Sequence, residues 1–149
     1  MAASSSVLTT LRELAEKETD QAAEKLVQLN KQLEDASTKL AMLKDYRNDY
    51  MNKLSRDLQA GMDAQSYQNF QNFIRKLDEA INGQQDMVEH AKARVAAQRE
   101  VWQECQKKKL SFEVLAERSE KKLHQQELKR DQKMMDEHAM RNGKFGSRG

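Results

Sequence analysis

Gln59-Ala60-Gly61-Met62-Asp63-Ala64-Gln65-Ser66 separates two long, proline-free stretches of helical periodicity. Gly61 is the first glycine in the chain, and the next is Gly83. Ser66 is a fair N-cap for the residues that follow it. The stretch predicts a hinge at which one long helix turns back on another.

Apolar positions on either side form two ladders. Before the hinge they step by four and three through Ala22, Leu26, Leu29, Leu33, Ala36, Leu40, Leu43, Arg47, Tyr50 and Leu54. After it they step through Tyr67, Phe70, Ile74, Leu77, Ile81, Gln84, Val88, Ala91, Val95, Gln98, Trp102 and Cys105. A sustained 3.5-residue repeat is the signature of a left-handed coiled coil. Folding the chain at residue 62 brings the ladders together rung by rung. Leu54 then faces Phe70, Tyr50 faces Ile74, Leu43 faces Ile81, Ala36 faces Val88, Leu29 faces Val95 and Ala22 faces Trp102. Two independent helices have no reason to keep one common register. The fold class expected is therefore all-α, with two long helices in an antiparallel coiled-coil hairpin.

Composition agrees with this. Charged residues make up 34% of the 149-residue chain and hydrophobic ones only 38%, with no proline. Such a chain cannot fill a thick core, but it can bury a narrow seam between two helices. One domain over 1–141 is expected, with helix 1 at about 6–58, a turn at 59–65 and helix 2 at about 66–138. A flexible basic tail is expected over 142–149, after Asn142-Gly143. At 1.5 Å per residue the helices would run about 80 Å and about 110 Å. Helix 1 is thus used up near residue 118 of helix 2, and the remaining turns overhang. The seam also weakens toward that open end, because Arg12 and Lys109 fall on it and Leu11, Leu14, Leu110 and Leu115 fall beside it. An isolated helix gains little without a partner, so this end looks built to be completed by another surface.

Several function classes are excluded or disfavoured. No phosphate loop, HExxH, CxxC or GxSxG is present, so no enzyme, cofactor or metal is expected. His90, His124 and His138 are far apart along a helix. His124 with Glu120 and Glu127, like Asp78-Glu79, reads as ordinary solvated surface. Cys105 is the only cysteine and lies on the seam, which suits a structural role in a reduced compartment. No apolar run approaches a membrane span, and Met1 to Ser6 lacks the features of a signal peptide. Residues 92–149 hold 15 Lys/Arg and 9 Asp/Glu, including Lys107-Lys108-Lys109. Interleaved glutamates and the lack of stacking aromatics argue against nucleic acid and leave attraction to an acidic protein surface.

One apolar feature lies beside the seam. With Arg47 and Ile74 at heptad position a, Tyr46, Lys53, Phe73 and Ala80 fall at g, and the g flanks of an antiparallel pair lie side by side. Tyr46 and Phe73 either widen the core near the hinge or form a docking strip with Leu43, Tyr50 and Leu77.

These residues carry a family resemblance. Leu14-Ala15-Glu16-Lys17-Glu18, Met42-Leu43-Lys44-Asp45-Tyr46-Arg47-Asn48-Asp49-Tyr50, the Phe73 to Ile81 segment and Asp131-Gln132-Lys133-Met134-Met135-Asp136-Glu137 resemble, in order and spacing, the FliJ family of flagellar export proteins. The resemblance implies a cytoplasmic coupling protein of the flagellar type III export apparatus, peripherally associated with the inner membrane at the flagellar base and monomeric when isolated. It implies three kinds of partner: the hexameric flagellar export ATPase, the large membrane protein of the export gate, and export chaperones. The gate-binding positions carried over are Leu43, Tyr46, Tyr50, Phe73, Leu77 and Ala80. The ATPase contact is expected at Val7, Leu11, Leu14, Leu115, Leu128, Asp131, Gln132, Lys133, Met135 and Asp136. Two alternatives stay open: a stalk protein of a virulence injectisome, and a general coiled-coil chaperone or adaptor.

Overall fold

The computed structural model describes residues 5–146 as two helices, α1 (Ser5–Ala60) and α2 (Ala64–Gly146), paired as an antiparallel hairpin with no strand among the described residues. With no proline to break the backbone ladder and apolar residues spaced by three and four, nothing stops either helix before its cap. The connection is tighter than expected, because only 61–63 lie outside the helices. At the other end, α2 runs on through residues 139–146, into the stretch expected to be a tail. Residues 1–4 and 147–149 lie outside the described residues.

Two residues make the turn. Gly61 adopts φ +98° and its N–H donates to Leu58 O at 3.3 Å, which is half of a Schellman closure. The capping residue of α2 is Asp63 rather than Ser66: Asp63 Oδ1 accepts the Ser66 N–H at 2.8 Å. Ser66 therefore sits at the third helical position, inside the helix it was expected to open. Hydrogen bonds from the Ser66 side chain, then from its backbone N–H, lower the pKa of Asp63 below the usual aspartate value. Because the folded value is depressed, the cap's contribution is present at neutral pH and is lost as pH falls through the folded pKa. Asp63→Ala should accordingly melt below the parent at pH 7, and the gap should close in acid; thermal melts at both pH values check this.

Gly61 and Gly83 should respond oppositely to alanine. A Cβ at Gly61 meets nothing within 4 Å, so the cost is the left-handed backbone alone, about 1–2 kcal/mol. A Cβ at Gly83 also meets nothing, but that residue is inside α2, where alanine is favoured by about 1 kcal/mol. Denaturant midpoints of Gly61→Ala and Gly83→Ala should therefore move in opposite directions.

The contacts of the chain group into two units, one of Gln21–Gln103 and one of Met1–Asp20 with Glu104–Gly149. In the first, the a and d positions from Ala22 to Leu54 and from Phe70 to Trp102 are buried or half-buried, whereas Tyr67, beside the turn, is exposed. Leu29, Leu54, Ile74, Leu77, Ile81, Val88 and Val95 form its driest part. Each such side chain taken from water contributes roughly 1.5–3 kcal/mol. Two glutamines are buried among them, and both are satisfied across the seam. Gln84 Nε2 donates to Ala36 O at 3.0 Å, and Gln98 Nε2 donates to Ala22 O at 3.1 Å. The donors are 14 residues apart, and so are the acceptors, so the register does not drift over two heptads. Both acceptors are alanines, whose small side chains leave the carbonyl within reach. Both bonds fall one turn from the facing pairs expected for Ala36 and Ala22.

The second unit differs from expectation. Its seam does not fade: Leu8, Ala15, Thr19 and Ala116 are all buried, and Ala15 is only 2% exposed. Arg12 and Lys109 are half-buried on the same stripe. Small residues around them leave room for the long aliphatic stems to lie along the seam while the charges stay wet. Thr19 is satisfied within α1, donating from Oγ1 to Ala15 O at 2.7 Å. Lys108 and Glu18 form an exposed ion pair at 3.6 Å, a type worth little. The last half-buried residue of α2 is Ser119, and every residue over 120–143 is exposed.

Candidate functional site

In the unit of Gln21–Gln103, four rings from two heptads of α1 and one of α2 form a single cluster. Tyr50 is its centre, with ring centroids 4.4 Å from Phe73, 4.8 Å from Phe70 and 6.3 Å from Tyr46. Tyr46 meets Phe73 edge-on at 6.1 Å and 77°. Tyr50 and Phe70 sit at d positions and reach the cluster from the seam. Tyr46 and Phe73 sit at g and carry it outward onto the flank. Each such ring pair adds about 0.5–1.5 kcal/mol beyond simple burial.

The cluster presents its members unequally. Tyr46 is 51% exposed, Ala80 is exposed, Leu43, Tyr50 and Phe73 are half-buried, and Leu77 is buried at 7%. Leu77 therefore supports the surface from the seam. The phenol groups of Tyr46 and Tyr50 make no hydrogen bond among the described residues, so each keeps a donor for a partner. Phe70 is the member the sequence reading left out of this surface. Its signal was present, since a d position four residues before Ile74 and three before Phe73 shares their side of α2. On the opposite, e flank, Arg47 Nε donates to Asp78 Oδ1 at 2.5 Å. That pair neutralises the charge that Arg47 places on the seam, leaving the aromatic side without a competing cation from Arg47.

In the other unit, Val7, Leu14 and Leu115 are 49%, 53% and 45% exposed, while Leu11 is half-buried. Leu110, Ser111, Val114, Leu115 and Arg118 line a shallow groove on the outer side of α2. Farther on, Leu128, Asp131, Gln132, Lys133, Met135 and Asp136 are all exposed. Gln132 Nε2 donates to Asp136 Oδ1 at 3.1 Å, a bond within the helix itself. Nothing from α1 covers this stretch, so a helix that is marginal alone here presents a full circumference to a partner.

Among the described residues no group of three His, Cys, Asp or Glu side chains could hold a metal ion. No helix is long and apolar enough to cross a membrane. Both surfaces expose large apolar side chains, Tyr46 on the first and Leu14, Leu115, Leu128 and Met135 on the second.

A family model described as flagellar FliJ protein matches residues 4–144. The chain belongs to the FliJ family. The flagellar FliJ protein of Escherichia coli K12 is 34% identical over 134 residues, covering 90% of this chain and 91% of that protein. The flagellar FliJ protein of Salmonella typhi is 33% identical over the same shares of both chains. Membership of this family places the chain with proteins of flagellar export and type III secretion. Among solved structures, CT670 of Chlamydia trachomatis, described as a YscO homologue, superposes with a TM-score of 0.50 at 15% identity. It covers 97% of this chain and 94% of that one, and so agrees in fold.

Proposed function

We propose that this protein is a non-enzymatic stalk and coupling component of the flagellar export apparatus. The exposed apolar residues at Val7, Leu14 and Leu115, with α2 beyond Ser119, engage the central opening of the hexameric export ATPase. Leu11 supports them, and Leu128 through Asp136 extend the contact. The aromatic cluster, with Tyr46, Phe73 and Ala80 outermost, docks the large membrane protein of the export gate. Empty export chaperones are further partners, and the protein works at the inner face of the membrane at the flagellar base. The observation that carries this reading is the Tyr46–Tyr50–Phe73–Phe70 cluster: the hairpin needs the two d-position rings, but it has no use for an exposed Tyr46. Exposed aromatic anchors are characteristic of interfaces.

The fold shared with the YscO homologue suits an injectisome stalk equally well, but the relatives at 33–34% identity favour the flagellar machine. Mixing the purified chain with the cognate export ATPase, and separately with the soluble part of the gate protein, tests the proposal. Stimulated ATP hydrolysis and a complex with the gate support it. Failure of both would leave a general coiled-coil adaptor.

A further inference from the structure

The aromatic cluster occupies only the hinge-side third of the flank it lies on. Followed away from the hinge, the g positions of α1 read Lys53, Tyr46, Lys39, Gln32 and Lys25, and those of α2 read Phe73, Ala80, Met87, Arg94 and Val101. Met87 is 59% exposed and Val101 is 49% exposed. Lys25 and Arg94 line one groove with Leu29, Ala97, Gln98 and Val101, so the two cations face one apolar floor.

The charge at the g positions of this flank is of one sign. Residues 21–103 hold 12 Lys/Arg and 12 Asp/Glu, a neutral balance. Yet every charged residue at a g position among them is basic: Lys25, Lys39, Lys53 and Arg94. None of the four makes an ion pair or a hydrogen bond among the described residues; on the other flank Asp78 and Lys92 are paired, with Arg47 and Glu89, and Lys44 and Arg99 are not. The adjoining c positions add one acid near the groove, Asp35, and the c positions of α2 add none. A row of unpaired cations flanking exposed apolar residues at heptad spacing is half of a coiled-coil interface.

We infer that this flank, from Met87 to Val101 on α2 and from Lys39 to Lys25 on α1, is a second docking groove that takes an acidic amphipathic helix of a partner protein as a third helix. The partner's apolar stripe packs on Met87, Ala97 and Val101, and its carboxylates face Lys25, Lys39 and Arg94. A second copy of this chain does not supply such a helix. Its own g flank is basic, and residues 120–143, the one long uncovered helical stretch, hold six Lys/Arg against five Asp/Glu. The groove is separate from the Tyr46 surface and does not depend on that surface binding the export gate.

The test uses the full chain and a synthetic acidic heptad peptide of about three heptads, with Leu at a and d and Glu at e and g. A peptide with Lys in place of Glu is the control. Calorimetry or fluorescence anisotropy should show binding of the acidic peptide alone, weakening as salt rises from about 0.05 to 0.3 M. Lys25→Glu with Arg94→Glu should weaken it by about tenfold or more, because two close charge pairs turn repulsive. Met87→Asp with Val101→Asp should do the same, whereas Tyr46→Ala should leave it unchanged. Circular dichroism on each variant verifies that the hairpin is intact; all four positions are exposed. No binding, or equal binding by the Lys25→Glu/Arg94→Glu variant, overturns the groove. Charge dependence without any effect at Met87 and Val101 also overturns it, since that is unspecific attraction to a basic surface. Self-association of the chain that these substitutions abolish would assign the flank to a second copy instead.

Discussion

Truncation after Arg118 is expected to leave a folded hairpin that no longer stimulates the export ATPase. The structural half of this follows from burial. Ala116 and the residues before it stay in place, and only half-buried Ser119 is lost from the seam. Every residue over 120–143 is exposed, and the side-chain bonds there, Gln132 to Asp136 and Asn142 with His138, stay within α2. Thermal unfolding of the truncated chain should thus match that of the full chain, with ellipticity reduced only by the missing turns. The functional half follows from what those turns are. Leu128, Met134 and Met135 are 55%, 62% and 68% exposed, with nothing among the described residues to cover them. A helix so placed is held weakly until a partner completes it. ATP hydrolysis measured with both chains decides the matter, and equal stimulation would mean that the coupling contact lies elsewhere.

Tyr46→Ala and Phe73→Ala are expected to weaken gate binding by about 1–3 kcal/mol each, the range of an interface hot spot. Their effects on the hairpin should differ. Tyr46 is more than half exposed and touches two rings at 6.1 and 6.3 Å. Phe73 is half-buried and packs on Tyr50 at 4.4 Å as well as on Tyr46. Phe73→Ala should therefore cost folding stability in addition to binding, by about 0.5–1.5 kcal/mol for each ring pair lost. Tyr46→Ala should separate the two: it also loses two ring contacts, but both are longer and the ring is half exposed, so the melting temperature should fall less than in Phe73→Ala while the gate complex weakens as much. Loss of the folded hairpin in Tyr46→Ala would assign the ring to the core and remove the docking role.

The two readings of Tyr46 and Phe73 left open by the heptad pattern are not exclusive. Heptad position says which flank a side chain lies on, but not how far it turns toward the seam. Both residues are at g. One ring turns inward onto Tyr50 and the other stays out. Leu77 shows the converse: it shares the family's pattern of surface positions yet is buried, because d positions face the opposing helix.

From the sequence alone came the two-helix hairpin and the place of its turn. That much is legible because helical spacing, the absence of proline and a single early glycine act locally, each over a few residues. The common phase of the two ladders then leaves one antiparallel pairing. The tertiary structure decided what depends on distance between side chains. Asp63, not Ser66, caps α2, because capping requires the carboxylate to sit just before the first turn, and Gly61 ends α1 close enough to place it there. The seam beyond Ala22 persists through Ala15, Thr19 and Ala116, residues too small or polar to register as an apolar ladder. Small side chains bury completely where two helices approach closely, and only the packed pair reveals that approach. Gln84 and Gln98 look like defects in an apolar stripe until the alanine carbonyls that receive them are in view.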